Sequence, residues 1–355
     1  MAKKKKPDCK HCPWADPATG KPRHAPVLAT CSTYSTYSTC PTYTIRTTYS
    51  TIPPTSPIGV LVGEGPGAEE VEQQKPFVGR TGQWLDERLE KADLDRATLV
   101  VLNAQGCQPP KGLKTDITMR EATKCCAPLF NEQYKPYEAL PTLAMGKWAS
   151  AACNGGKPIT VETGRGFVRD NLLVTWHPTY AAFYNPWKAG EFVNDLQRFK
   201  RMLAGTLERP PTVNIKPTVA DVVKLATSCK VIAVDIETRA LPNRPDYEGK
   251  DPYRAGLRTI ALGDSNHSIA YWWGSDSRVQ QAIISVLSNS SIIKVFHNGW
   301  MFDQPVLRRY GVKVRNAKDT RDMRRAVSAT SRLSLRHLTS IYSDFAPWKE
   351  VEDSK

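Results

Sequence analysis

Short apolar runs alternate along most of the chain with stretches in which apolar residues recur every three or four positions. A short apolar run predicts a buried strand, and the longer period predicts a helix packed on one side. In the first half the predicted strands are 58–62, 98–103, 140–145 and 171–176, and the predicted helices are 81–92, 118–134 and 191–205. This alternation predicts an α/β fold with a parallel sheet covered by helices.

The same alternation resumes in the second half. The run KVIAVDIET (230–238) predicts a strand that ends in acidic residues, and RTIALG and SIAYWW predict two more strands. A strand is also expected at 291–296, with helices at 278–288, 302–310, 319–330 and 333–342. We therefore predict a basic, low-complexity segment at 1–57, one α/β domain at 58–207, a proline-rich linker at 208–218 and a second α/β domain at 219–355.

The net charge of the chain indicates a class of binding partner. The 355 residues carry 49 Lys and Arg against 35 Asp and Glu, so the net charge is +14. Such an excess favours a polyanion such as nucleic acid, although a basic enzyme without such a partner is the alternative. No apolar run is long enough to span a membrane, and MAKKKK has no apolar run behind it, so we expect an intracellular protein.

A glycine-rich turn follows the first predicted strand. Gly63 and Gly65 flank Glu64 in GEGPGAEE (63–70). Glycines at this place let the backbone approach a flat ligand closely, and no Lys-Ser/Thr pair follows that would make the turn a phosphate-binding loop.

Three further groups fall on loops or strand ends. Phe77 lies in PFVGRTG, Asn103 ends an apolar run, and His177 lies in WHPT just past another. An aromatic ring can stack on a base, and a side-chain amide can both donate to and accept from a pyrimidine edge. Strand ends are the usual place of an α/β active site.

The cysteines suggest a metal centre. Cys9 and Cys12 form a CxxC pair, Cys107 follows the Asn-containing run, and Cys125 and Cys126 are adjacent further along. Four thiolates in this grouping can hold a [4Fe–4S] cluster or a zinc ion, and for a lone CxxC zinc is the first choice.

Together these motifs resemble the family 4, iron–sulfur uracil-DNA glycosylases. The CxxC pair, GEGPG, PFVG, the Asn-containing strand with its cysteine and prolines, a further cysteine and a His-Pro motif occur in the family's order over about residues 8–200. The resemblance implies [4Fe–4S] ligands at Cys9, Cys12, Cys107 and Cys126, with Cys125 competing for the last position. Zinc remains the alternative to the cluster.

The resemblance also implies roles in excising uracil from DNA. Glu64 would position or activate the attacking water, and Glu70 would assist it. Phe77 would stack on the flipped base, Asn103 would read its edge, and His177 would stabilise negative charge on the departing uracil. The expected substrate is single-stranded or uracil-containing DNA.

Acidic residues mark a second candidate site. Asp235 and Glu237 lie two apart on one strand, so both face one side, and Asp303 follows in FHNGWMFD. Carboxylates suit Mg²⁺ or Mn²⁺. These motifs resemble the first two of the DEDD-type 3′–5′ exonucleases, which implies a partial RNase H-like domain, because the third motif is not found before Lys355.

The order of the two domains resembles the N-terminal part of certain phage family A DNA polymerases. The resemblance implies that a polymerase domain follows in a longer parent chain. It also leaves open that the first domain is a noncatalytic DNA-binding region. The expected location is the cytoplasm, that of the host if the protein is viral.

Overall fold

The computed structural model describes residues 56–109, 114–209, 211–241, 249–328 and 332–345. The predictions for Cys9, Cys12 and the low-complexity segment lie outside these ranges. The chain divides into two compact units, Met1–Glu208 with Thr339–Lys355, and Arg209–Leu338. None of the helices in the described ranges combines the length and apolar character needed to cross a membrane.

The first unit contains a five-stranded sheet in the order β2-β1-β3-β5-β4. The strands are β1 (Gly59–Gly63), β2 (Leu99–Asn103), β3 (Thr142–Met145), β4 (Val168–Arg169) and β5 (Leu172–Thr175). All neighbouring strands are parallel except β4 and β5. Every residue of β1 is buried, which explains why its sequence is a continuous apolar run rather than an alternating one.

Helices accompany this sheet. They are α1 (Ala68–Gln73), α2 (Arg80–Lys91), α3 (Asp116–Tyr134), α4 (Lys147–Cys153), α5 (Val161–Gly164) and α6 (Ala189–Leu203). Their apolar faces enter the core; α2 buries Leu85 and Leu89, and α6 buries Phe192 and Phe199. The parallel, helix-covered sheet predicted from the sequence is confirmed.

The second unit contains a six-stranded mixed sheet in the order β11-β10-β7-β8-β9-β6. Its strands are β6 (Val213–Asn214), β7 (Val231–Arg239), β8 (Gly256–Gly263), β9 (Ser268–Trp272), β10 (Ile293–Phe296) and β11 (Ala317–Asp319). Its helices are α7 (Val219–Ser228), α8 (Ser277–Ser288), α9 (Asp303–Arg309), α10 (Thr320–Val327) and the start of α11 (Leu335–Tyr342).

Two features differ from the sequence prediction. Part of the expected linker forms β6, which pairs with β9 through Val213 and Ser268. The described residues from Thr339 onward group with the first unit, whereas the sequence prediction places them in the second domain. The domain bounds inferred from the sequence stay a prediction.

Candidate functional site

The predicted glycosylase residues come together because of strand direction. Four parallel strands, β1, β2, β3 and β5, end at the same edge of the first sheet. Glu64 follows β1, Asn103 ends β2 and His177 follows β5. With Phe77 they line a cavity of about 380 Å³. Parallel strands place their carboxyl ends on one side, so the sheet brings together residues more than a hundred positions apart.

Asn103 and Phe77 meet at Gly63. Gly63 pairs with Asn103 in the register of β1 and β2. A Cβ atom on Gly63 would lie 2.5 Å from Cζ of Phe77 and 2.6 Å from Oδ1 of Asn103, so any larger residue would displace them. Oδ1 of Asn103 is buried and has no hydrogen-bond partner among the described residues. A buried acceptor of this kind is costly unless a ligand donates to it.

Phe77 is held in a strained conformation. Its φ is 54°, a left-handed value that is rare for a bulky residue, and its side chain is buried. The guanidinium of Arg96 donates to the carbonyl oxygens of Phe77 at 3.0 Å and Pro76 at 2.8 Å, and it pairs with Asp86 at 2.7 Å. Arg96 therefore holds the turn that aims the Phe77 ring. The sequence analysis did not identify Arg96, because the contact spans nineteen residues and no motif marks it.

His177 presents a defined proton. The backbone N–H of Thr179 donates to Nδ1 of His177 at 3.2 Å, so in the neutral ring the proton lies on Nε2. Burial lowers the pKa of His177; the negative charge of Glu64 opposes that shift, and the positive charge of Lys114 adds to it. The neutral imidazole is the favoured form at pH 7, with Nε2–H as its donor.

The two glutamates of the glycine-rich turn have different surroundings. Oε1 of Glu64 accepts from the backbone N–H of Trp148 at 3.2 Å, and Glu64 lines the cavity. Glu70 is buried, and its two oxygens accept from the backbone N–H groups of Gly67 and Gly79, each at 2.9 Å. Glu70 thus fastens the turn after β1 to the turn that carries Phe77. Its contribution to the reaction stays a prediction.

Two of the predicted cluster ligands are described. Cys107 packs against a small buried cluster that includes Met119 and Ala122 of α3. Cys126 is buried and lies four residues after Ala122, so the two share a helix face, whereas Cys125 is only partly buried. In the described ranges, which exclude Cys9 and Cys12, no group of three or more His, Cys, Asp or Glu is arranged to hold a metal ion.

The second candidate site comprises the acidic residues of the second unit, which within the described ranges are not gathered into a group of three that could hold a metal ion. Asp235 and Glu237 lie on the exposed side of β7, and Asp303 is the first residue of α9 and is buried. Burial, together with the charges of Asp235 and Asp319, raises the pKa of Asp303 to about 7. The charge of Asp235 thus acts on Asp303, and the role of these carboxylates in holding a metal stays a prediction.

Asp319 shapes this second site. Its carboxylate accepts from the backbone N–H groups of Asn298 at 3.0 Å, Gly299 at 2.7 Å and Arg321 at 2.9 Å. It thereby fixes the turn that leads into Asp303 and begins α10 as its N-cap residue. An Asp that ends a short strand and precedes a helix is the sequence signal for such a cap.

Each unit matches a protein family. Residues 50–197 match the uracil DNA glycosylase superfamily, and residues 210–353 match a family described as 3′-5′ exonuclease. The chain therefore carries a domain of the uracil DNA glycosylase superfamily followed by a 3′-5′ exonuclease domain.

Curated relatives cover part of the chain. The type-4 uracil-DNA glycosylase of Pyrobaculum aerophilum is 29% identical over 161 residues, which cover 42% of this chain and 79% of that protein. The type-4 uracil-DNA glycosylase of Thermotoga maritima is 31% identical over 126 residues, covering 34% of this chain and 64% of that protein. The chain thus spans somewhat less than two thirds of the Thermotoga protein.

Solved structures show distant similarity. The catalytic core of RRP6 from Trypanosoma brucei is 17% identical, with a TM-score of 0.33, and the match covers 41% of this chain and 38% of that one. The exoribonuclease RNase D of Escherichia coli is 20% identical, with a TM-score of 0.31, covering 41% of this chain and 36% of that one.

Proposed function

We propose that the first unit is a uracil-DNA glycosylase that hydrolyses the bond between uracil and deoxyribose. One observation carries this proposal: the buried, unpartnered Oδ1 of Asn103 lies beside the ring of Phe77 in the cavity. An acceptor there fits the N3–H of uracil, while the amide N–H₂ fits its O4. Cytosine has no hydrogen on N3 and donates from N4, so the same amide orientation rejects it.

The remaining cavity residues support the chemistry. The base must leave the stack to reach this cavity, and the Phe77 ring replaces the lost stacking. As the glycosidic bond breaks, negative charge builds on uracil, and Nε2–H of His177 is the donor for its O2. Glu64 holds the water that attacks the sugar carbon. The side chains of Glu64 and His177 each accept from a backbone N–H group, of Trp148 and Thr179, before substrate arrives.

The test is cleavage of a labelled single-stranded oligonucleotide with one uracil, followed by alkali, without added metal. We expect a break only at the uracil, and none in the matched cytosine strand. If DNA is bound but no break forms, the alternative holds, namely a noncatalytic DNA-binding region of a family A DNA polymerase.

We propose that Cys9, Cys12, Cys107 and Cys126 hold a [4Fe–4S] cluster, with zinc as the alternative. The packing of Cys107 against α3, on the face that carries Cys126, supports this set over one with Cys125. The group would tie the N-terminal segment to α3 and to the loop after β2. Metal analysis and the visible spectrum of anaerobically purified protein distinguish the two metals. Cys126→Ala should lose the metal, and Cys125→Ala should keep it.

For the second unit we propose an exonuclease-type site in which Asp235, Glu237 and Asp303 bind Mg²⁺ or Mn²⁺. The mutual charge effect of Asp235 and Asp303 supports it. A third motif with its metal ligand and general base is not found in this sequence, so this chain by itself should not degrade a 5′-labelled strand when Mn²⁺ is added. Progressive shortening from the 3′ end would contradict that expectation.

A further inference from the structure

A second buried acceptor borders the cavity of the first unit. Gln105 is fully buried, lies two residues beyond Asn103 and lines the same cavity. Its Oε1 has no hydrogen-bond partner among the described residues. A fully buried amide with half of its hydrogen-bonding capacity unused is costly, and in a ligand cavity the natural compensation is a donor on the occupant.

The amide of Gln105 cannot simply turn over. Its Nε2 donates to the carbonyl oxygen of Met119 at 3.2 Å and to Oγ1 of Thr123 at 2.7 Å. The Thr123 hydroxyl donates its hydrogen to the carbonyl oxygen of Met119 at 2.8 Å. Both groups next to the Gln105 amide nitrogen therefore act as acceptors toward it. The nitrogen must therefore face α3, and the oxygen lies on the side of Gly65, which lines the cavity.

The position of this oxygen separates it from the base-reading groups. Asn103 and Phe77 meet at Gly63, whereas a Cβ on Gly65 would lie 3.1 Å from Oε1 of Gln105. Glu64 stands between these two glycines. The backbone N–H of Gln105 donates to the carbonyl oxygen of Glu64 at 2.9 Å, which fixes the two residues to each other.

We propose that Gln105 accepts a hydrogen bond from the attacking water and orients it together with Glu64; this rests on the glycosylase function proposed above. One O–H of the water points to the Glu64 carboxylate and the other to Oε1 of Gln105, so a lone pair faces C1′ of the sugar. The water oxygen bonds to C1′, the bond from C1′ to N1 breaks, the electron pair stays on uracil, and a water proton passes to Glu64.

The test separates water orientation from base binding. Single-turnover excision is measured with enzyme in excess, and affinity is measured with an oligonucleotide carrying 2′-fluoro-2′-deoxyuridine, which resists hydrolysis. Gln105→Leu should slow excision by about tenfold, the effect of one lost hydrogen bond, and leave affinity within about twofold. Thr123→Val keeps the acceptor but frees the amide to rotate, so a smaller loss is expected.

The outcomes are distinct. An inactive wild-type protein overturns the glycosylase function itself. An active wild type with an unchanged rate in Gln105→Leu overturns the role of Gln105 alone, and so does a loss of affinity as large as the loss of rate, because Gln105 would then bind the base. If the Leu variant does not fold, Gln105→Met, which also lacks the acceptor but is unbranched, is judged by the same two measurements.

Discussion

Two buried aspartates, one in each unit, have pKa values that move in opposite directions. Burial would raise the pKa of Asp344 in the first unit, but hydrogen bonds from Arg201, the backbone of Glu208 and Arg198 outweigh it and hold the value at about 2. Burial and the nearby charges of two aspartates raise the pKa of Asp303 in the second unit to about 7. The two are equally inaccessible, with 7% and 6% exposed.

The difference is relevant to the ligand proposed for each unit. Around Asp344 positive partners are supplied by the protein, and the unpartnered atoms of the first unit's cavity are neutral amide oxygens. Such a cavity suits a neutral, hydrogen-bonding occupant. Around Asp303 negative charges face one another, an arrangement that a bound cation relieves. The contrast agrees with the proposals of a base for the first unit and a metal ion for the second.

The largest expected effect tests the neutral donor in the first unit. His177→Ala should slow uracil excision by about 10²–10³-fold, because it removes one pre-placed donor to the charge that develops on uracil. The measurement is single-turnover excision from a uracil-containing strand. His267→Ala, an exposed histidine of the second unit, is the matched control and should keep the wild-type rate. A similar loss in both variants would contradict the role of His177.

Asp344→Asn should destabilise the first unit by about 3 kcal/mol, because it leaves Arg198 buried beside a neutral amide. The pKa of Asp344 is lowered on folding, so its contribution is full above about pH 4 and is lost as the pH falls toward 2. Urea unfolding at several pH values measures this. Asp93→Asn, at an exposed pair with Lys200, should change stability much less. Equal effects would refute the distinction.

Asp303→Asn, in contrast, should stabilise the second unit. Its raised pKa means that the ionised carboxylate opposes folding fully above about pH 7, while below about pH 4 both states are protonated and the penalty vanishes. The variant should therefore be about 2 kcal/mol more stable at pH 8 and unchanged at pH 4. The exposed Asp322→Asn serves as the control. If Asp303→Asn instead destabilises the protein at pH 8, repulsion between Asp303 and the neighbouring carboxylates is not the dominant effect.

The smallest expected effect concerns the strained turn of the first unit. Arg96→Ala should reduce kcat/KM for uracil excision by about tenfold, because Phe77 is then free to leave its strained conformation. Arg96→Lys should recover part of the loss, since an ammonium can reach one of the two carbonyl oxygens. Equal rates in all three proteins would show that the ring is held without Arg96.

Much of the fold could be read from the sequence, because buried parallel strands are short apolar runs with breaks on either side. The runs at 58–62 and 98–103 correspond to β1 and β2, and the expected helix at 118–134 corresponds to α3. The short helices α1 and α4 and the two-residue strand β4 were not anticipated. They have no periodic apolar face of their own, and tertiary contacts determine them.

The sequence also pointed to the polar residues of the candidate site, since Glu64, Asn103 and His177 stand at or just after the ends of apolar runs. Gln105 and Arg96 were not identified, because each acts through contacts that no local pattern marks. The buried ion pair between Arg165 and Asp195, at 2.7 Å, was equally hidden, since the residues lie thirty positions apart. Charged residues in a sequence are ordinarily expected at the surface.

The strand and helix pattern, the two α/β blocks and the residue types available for chemistry can all be inferred from the amino-acid sequence alone. Those features depend on local periodicity and on which side chains avoid water. Only the tertiary structure decided which polar atoms are left without partners, which carboxylates are neutralised and which repel, and which way the Gln105 amide faces. Those properties depend on distances between residues remote in sequence, and a linear pattern carries no information about distance.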